Sequence, residues 1–305
     1  MSNQQLKSIL MPIAMVVGAL LCRPLAIVEQ ATDYTLTPLL IAAMLFITFC
    51  RVDIRAMRLS TIHLWMLAVQ FVGSIAVYHI VEPLLGEIIA EGAMICVLAP
   101  IAMAAVVIGG MLGANVTTMV TYSLICNIAT AIIAPMILHS YGNGTCTFIE
   151  IIGRVAPTLI APFVVAQTLR FIRPKVAEWF ASRSSISFYL WLISLILVLG
   201  RTTAFIIDTD AELLTQIELA VISLVLCIAQ FSIGRVLGKF LGDTVAGGQS
   251  VGQKNTILAV WMSLNFLNPI ASIAPTAYII WQNFVNSFQI YRHEQRIAKK
   301  KETTA

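Results

Sequence analysis

Charge is scarce in this sequence. Lys, Arg, Asp and Glu together make up 11% of its 305 residues, against ~25% in a soluble domain. Enzyme signatures are missing too: there is no Walker loop, no HExxH pair and no nucleophile elbow. The six cysteines (Cys22, Cys50, Cys96, Cys126, Cys146 and Cys227) show no CxxC spacing and mostly lie inside apolar runs. They read as small buried hydrophobes rather than metal ligands or disulfide partners. His63, His79, His139 and His293 stand near the ends of apolar runs and form no ligand cluster. Basic residues do not interleave with aromatics along one stripe, which argues against a nucleic-acid partner. The residues therefore point to no enzyme and to no cofactor.

What the chain has in abundance is apolar surface, with 59% hydrophobic residues. A water-soluble core of this length cannot hide that much, whereas a bilayer can. One span takes roughly 20 mainly apolar residues. The runs predict an all-α polytopic membrane protein with spans at 8–28, 34–50, 62–81, 86–112, 115–139, 151–172, 185–206, 215–238, 244–268 and 272–291. Lys7 ahead of the first run resembles the start of a signal peptide, but Leu21 precedes Cys22 where a cleavage site needs a small residue. The segment reads as the first transmembrane helix.

Loop charges test this scheme. With both termini inside, one side collects Lys7, Arg51, Arg55, Arg58, Arg170, Arg173, Lys175, Arg183, Arg235, Lys239, Arg292, Arg296 and Lys299-Lys300-Lys301. The other side receives only Arg23, Arg154 and Arg201. That bias follows the positive-inside rule and sets both termini in the cytoplasm, with an inner (cytoplasmic) bacterial membrane as the expected location. The midpoint near Tyr141-Gly142-Asn143-Gly144-Thr145 leaves five spans on each side. Five is odd, so the halves 1–145 and 146–293 enter the membrane inverted relative to each other, followed by a basic tail at 294–305. Transporters built from inverted repeats have this pattern, with sites where discontinuous helices meet.

The fourth span of each half is the anomalous one. The fourth run contains Pro100 and then Gly109-Gly110 and Gly113; the ninth begins Gly247-Gly248-Gln249-Ser250-Val251-Gly252-Gln253-Lys254-Asn255-Thr256, which no lipid-facing helix tolerates. Interruptions expose backbone groups that cost several kcal/mol each in lipid unless something satisfies them. Lys254 is the one basic residue that no loop accommodates, midway along the ninth run. A charge there costs ~2.5 kcal/mol or more. The carboxylates nearest to a span interior, Glu91 and Glu218, both lie toward the outer surface. Lys254 is left to pair with a substrate anion, to rest among carbonyls or to lose its proton. In the fifth run Ser123, Asn127 and Thr130 share a helix face, as helix glue or as site lining. Gln70, Asn265, Asn268, Gln282, Asn283 and Asn286 add isolated polar groups elsewhere.

Ser250-Val251-Gly252-Gln253-Lys254-Asn255-Thr256, then Asn268-Pro269 and Tyr278-Ile279-Ile280-Trp281-Gln282-Asn283, resemble the bile acid:sodium symporter family, and Gln70-Phe71 matches the family's Gln-Phe. The resemblance implies that the fourth and ninth helices cross at their breaks. It also implies a core of spans 3–5 and 8–10 beside a panel of spans 1, 2, 6 and 7, and organic-anion substrates. The family's sodium-binding glutamate falls at Ser250 and its glutamine at Lys254, while its Ser-Asn pair in the fourth span falls at Ala105 and Val106. Of the sodium ligands that the resemblance implies at these positions, Gln70 remains.

The expectation is a secondary-active transporter of a carboxylate or sulfonate, working by alternating access without the usual sodium coupling, with Lys254 replacing the sodium charge. Expected substrate contacts are Lys254, Asn255, Thr256, Ala105, Val106, Asn265 and Asn283; cation-site positions are Gln70, Ser123, Asn127, Ser250, Gln253 and Lys254. Two rival readings are a sodium-coupled symporter with non-standard ligands and a membrane sensor that binds solute without moving it. The expected partners are a small organic anion and the lipid bilayer, in a monomer or weak dimer.

Overall fold

A computed structural model describes residues 3–51, 57–142, 147–208 and 212–304. The boundary expected between halves, at 145/146, and the expected basic residue Arg55 lie outside these. The described chain is helical, in the order α1 (Asn3–Leu20), α2 (Cys22–Ala31), α3 (Leu36–Phe49), α4 (Thr61–Leu85), α5 (Glu87–Leu98), α6 (Met103–Met111), α7 (Val116–Tyr141), α8 (Phe148–Ile172), α9 (Pro174–Ser182), α10 (Ser184–Asp208), α11 (Leu213–Leu241), α12 (Thr244–Gly252), α13 (Thr256–Phe266) and α14 (Ile273–Thr304). A 3₁₀ turn, Pro269–Ser272, links the last two.

Five helices among the described residues are long and apolar enough to cross a membrane, or six if the bent pair α1 and α2 counts as one span. The chain is an integral membrane protein by this measure. The first run differs from the single helix expected over 8–28: α1 and α2 are bent by 77°. Pro24 lies in the first turn of α2, where a missing N–H breaks no helical bond. The charged stretch after residue 172 is also helical, with Pro174 at the start of α9.

Polar caps fix where helices begin. Ser60 and His63 form a capping box on α4, and Thr147 and Glu150 form one on α8. Asn115 caps α7 by accepting from Thr118 N at 3.1 Å. Its own backbone N–H donates to Asp243 Oδ2 at 2.6 Å, while Asp243 Oδ1 accepts from Ala246 N at 2.8 Å and caps α12. One carboxylate thus ties the starts of α7 and α12 together. At the same basic end, Arg170 donates to Cys50 O at 2.8 Å and Arg51 to Ala181 O at 2.9 Å.

The helices pack in two groups, α1, α2, α3, α8, α9 and α10 in one and α4–α7 with α11–α14 in the other, joined along α7 and α8 and where α13 meets α3 and α10. Within the second group α11 and α12 approach almost backbone to backbone. A Cβ on Gly247 would collide with the carbonyl of Gly234, so glycine sets the interhelical distance there.

Candidate functional site

The two breaks meet. Pro100 has no N–H and pushes Ala99 into an extended conformation, so α5 ends at Leu98. The second break has no proline. Gln253 is extended and Asn255 restarts the helix by accepting from Leu258 N at 3.3 Å. Ile101 and Lys254 then form an antiparallel bridge. Asn255 N donates to Pro100 O at 2.7 Å and Ala102 N donates to Gln253 O at 2.9 Å. Each break supplies the backbone partners that the other lacks, which satisfies polar groups that lipid cannot.

Four half-helix ends converge here. The C-termini of α5 and α12 bring partial negative charge, and the N-termini of α6 and α13 bring partial positive charge. Lys254 is 1% exposed. Its Nζ donates to Val97 O at 2.8 Å, at the negative end of α5. Its backbone N–H donates to Gln282 Oε1 at 3.0 Å. Among the described residues the ion pair present is Arg23 with Asp208, so no carboxylate pairs with Lys254.

The neighbouring carbonyls at the end of α5 are also taken. Gln70 Nε2 donates to Leu98 O at 2.7 Å and to Thr130 Oγ1 at 3.1 Å. Gln70 Oε1 accepts from Tyr122 Oη at 3.2 Å and from Cys126 Sγ at 2.9 Å. Gln230 Nε2 donates to Cys96 O at 3.3 Å and to Tyr278 Oη at 3.1 Å, and Tyr278 Oη donates to Gly252 O, the end of α12, at 2.8 Å. Gln70 and Lys254 therefore cap consecutive carbonyls of one half-helix.

Other expected site residues take varied positions. Thr256 is buried and its Oγ1 accepts from Gln282 Nε2 at 3.4 Å. Ala105 and Val106 are buried in an apolar cluster with Ile62, Met66, Met119, Tyr122, Cys126 and Val251. Asn127 donates to Ser123 O at 2.7 Å, leaving its buried Oδ1 without a hydrogen bond; Ser250 Oγ and Gln253 Oε1 are likewise buried and unpaired. Asn265 and Asn283 donate back to Trp261 O and Ile279 O of their own helices, at 2.6 Å each. At the crossing, Ala102, Ala104 and Asn255 are the described residues that leave surface accessible.

Sequence reasoning passed over Cys126, Gln230 and Tyr278 as members of this network. The signals existed: Tyr122, Cys126 and Thr130 repeat every four residues on α7, and Gln230 stands alone in an apolar stretch as Gln70 does. Among the described residues no three His, Cys, Asp or Glu side chains gather as a metal site. No protein-family model matches the chain, and no curated protein matches it.

Proposed function

We propose that the chain is a secondary-active transporter of an organic anion, related to the bile acid:sodium symporters, in which the Lys254 ammonium takes the place of the coupling sodium. The observation that carries this reading is the buried Nζ on Val97 O at two bridged helix breaks. An ammonium and a sodium ion carry the same charge, and carbonyl oxygens at a helix C-terminus suit either. Around it, neutral groups stand where the related family has ligands. Gln70 Oε1 already accepts two hydrogen bonds, and Ala105 and Val106 contribute methyl groups to an apolar cluster. With no carboxylate at Ser250, a sodium ion would face Lys254 uncompensated.

In this proposal ten spans are formed by α1, α3, α4, α5 with α6, α7, α8, α10, α11, α12 with α13, and α14, in two inverted repeats. The glutamine and tyrosine pairs support the repeat. Gln70 of α4 caps the end of α5 and holds Tyr122 of α7, while in the second half Tyr278 of α14 caps the end of α12 and holds Gln230 of α11, whose amide also donates to Cys96 O of α5. The two packing groups supply a core that holds the crossing and a panel beside it, the division that alternating access needs. Substrate would meet Ala102, Ala104 and Asn255 at the crossing, with its charge toward the N-termini of α6 and α13.

Proteoliposome uptake of a panel of anions (a bile acid, a keto acid and a sulfo-conjugate) tests the proposal. Uptake is expected to persist when choline replaces sodium, and the paired variant Ser250→Glu with Lys254→Gln is expected to become sodium-dependent. Wild-type uptake that collapses without sodium overturns the ammonium's role. Binding without counterflow overturns transport and favours a sensor.

A further inference from the structure

At the basic end of the molecule a cavity of about 460 Å³ opens between α11, α12 and α14. That size lies within the range of small-molecule pockets. Its inner wall is apolar, with Leu112 and Phe231 buried and Val285 partly so. Its rim carries Arg235, Arg292 and His293, and among the described residues that line it none is acidic. Arg235 donates to Gln289 Oε1 at 2.8 Å, and the Arg292 guanidinium lies 5.6 Å from the Phe288 ring centre. The cavity therefore has two ends of different chemistry, a cationic rim and a hydrocarbon wall.

The wall continues onto the outside of the helix pack. Ile228 and Phe288 line the cavity and are themselves 52% and 59% exposed, in line with exposed Val221 and Val225 on α11 and Phe284 on α14. In a membrane these faces lie against acyl chains. Among the described residues, the lining comes from α11, α12, α14 and Leu112 and none from α1, α3, α8 or α10.

We infer that this cavity holds one anionic phospholipid of the cytoplasmic leaflet. The phosphate sits between Arg235 and Arg292, and an acyl chain runs along Phe231, Ile228 and Phe288. Basic pockets between transmembrane helices on the cytoplasmic side suit acidic headgroups, and arginine favours phosphate through its planar fork of donors. The inference rests on the membrane orientation expected from the loop charges, and not on transport. Occupancy bears on the crossing through a short chain of amides: Gln289, which accepts from Arg235, also accepts from Gln249 of α12 at 3.3 Å, and Gln249 donates to Asn286 Oδ1 at 3.1 Å. A phosphate drawn to Arg235 thus acts on the half-helix that leads to Lys254.

The test is lipid retention by the full-length protein, extracted from mixed phosphatidylglycerol and phosphatidylcholine and read by native mass spectrometry. One phosphatidylglycerol per chain is expected to be retained in preference to phosphatidylcholine. Arg292→Gln should weaken that retention roughly five-fold, and adding Arg235→Gln should weaken it about five-fold again. Arg292 is exposed, so its variant folds; Arg292→Lys should recover part of the preference. Equal retention of the two lipids, or an unchanged preference in the double variant, overturns the proposal. Displacement of the lipid by millimolar glycerol phosphate also overturns it, because the site would then take a soluble phosphate. Failure of anion uptake leaves these readouts untouched.

Discussion

Replacing Lys254 with methionine keeps an unbranched side chain, one atom shorter, and removes its charge. In the wild type the ammonium donates to Val97 O at 2.8 Å. A hydrogen bond to a charged group contributes about 1.5–3 kcal/mol, and a cation at a helix C-terminus adds about 0.3–2 kcal/mol. Burying the ammonium costs about 2.5 kcal/mol or more. These terms nearly cancel, so their joint removal changes little. What remains in Lys254→Met is a buried Val97 carbonyl without a donor, at about 1–3 kcal/mol. For 305 residues at about 2.1 cal/mol/K of unfolding entropy each, that loss lowers Tm by about 2–5 °C. The assay is thermal unfolding of the detergent-purified protein, in sodium chloride and in choline chloride. Wild type and Lys254→Met are expected to melt alike in the two salts. The pair Ser250→Glu with Lys254→Gln is expected to gain about 1.4 kcal/mol, or about 2 °C, in sodium at ten times its Kd. A wild-type protein stabilised by sodium to that extent refutes the reasoning, because the ammonium would not then occupy the cation's place. A Lys254→Met variant that does not fold refutes it too, because the charge would then be a structural requirement rather than a near-balanced substitution.

Tyr278→Phe removes the donor to Gly252 O and the acceptor for Gln230; a loss of about 1–3 kcal/mol is expected in thermal unfolding. Gly247→Leu forces apart α11 and α12 where backbone meets backbone, and size-exclusion profiles are expected to show loss of the folded species. Glu91, 1% exposed, accepts from Asn268 N at 2.8 Å and so holds the turn between α13 and α14. Glu91→Gln keeps an acceptor and should melt close to wild type, whereas Glu91→Ala should lose about 1–3 kcal/mol.

Part of this architecture is legible in the sequence because lipid makes an unbroken spanning helix long and apolar. The run expected at 62–81 becomes Thr61–Leu85, and the run expected at 215–238 becomes Leu213–Leu241. The breaks are legible because Pro100 and the polar stretch 247–256 conflict with a continuous apolar helix. The bend between α1 and α2 was signalled by Pro24 but masked by the apolar residues on either side. A carbonyl was one of the partners the sequence left open to Lys254, but which carbonyl could not be read. A carbonyl is common to every residue, and only the folded chain brings residue 97 to residue 254. The same holds for Gln230 and Tyr278, whose hydrogen bonds end on backbone atoms of other helices.

The crossing is held by main-chain bonds, from Asn255 N to Pro100 O and from Ala102 N to Gln253 O. Such bonds do not depend on which side chains the residues carry. The scaffold and the chemistry at its centre are therefore separable inheritances. Under the proposed function, substitutions at positions 250 and 254 exchange one kind of occupant for another while the joint itself endures, so a lineage changes what drives it without first having to rebuild the frame. The proline is the exception, since its missing N–H is part of what opens the helix, and it is the position where drift would dissolve the joint rather than refit it.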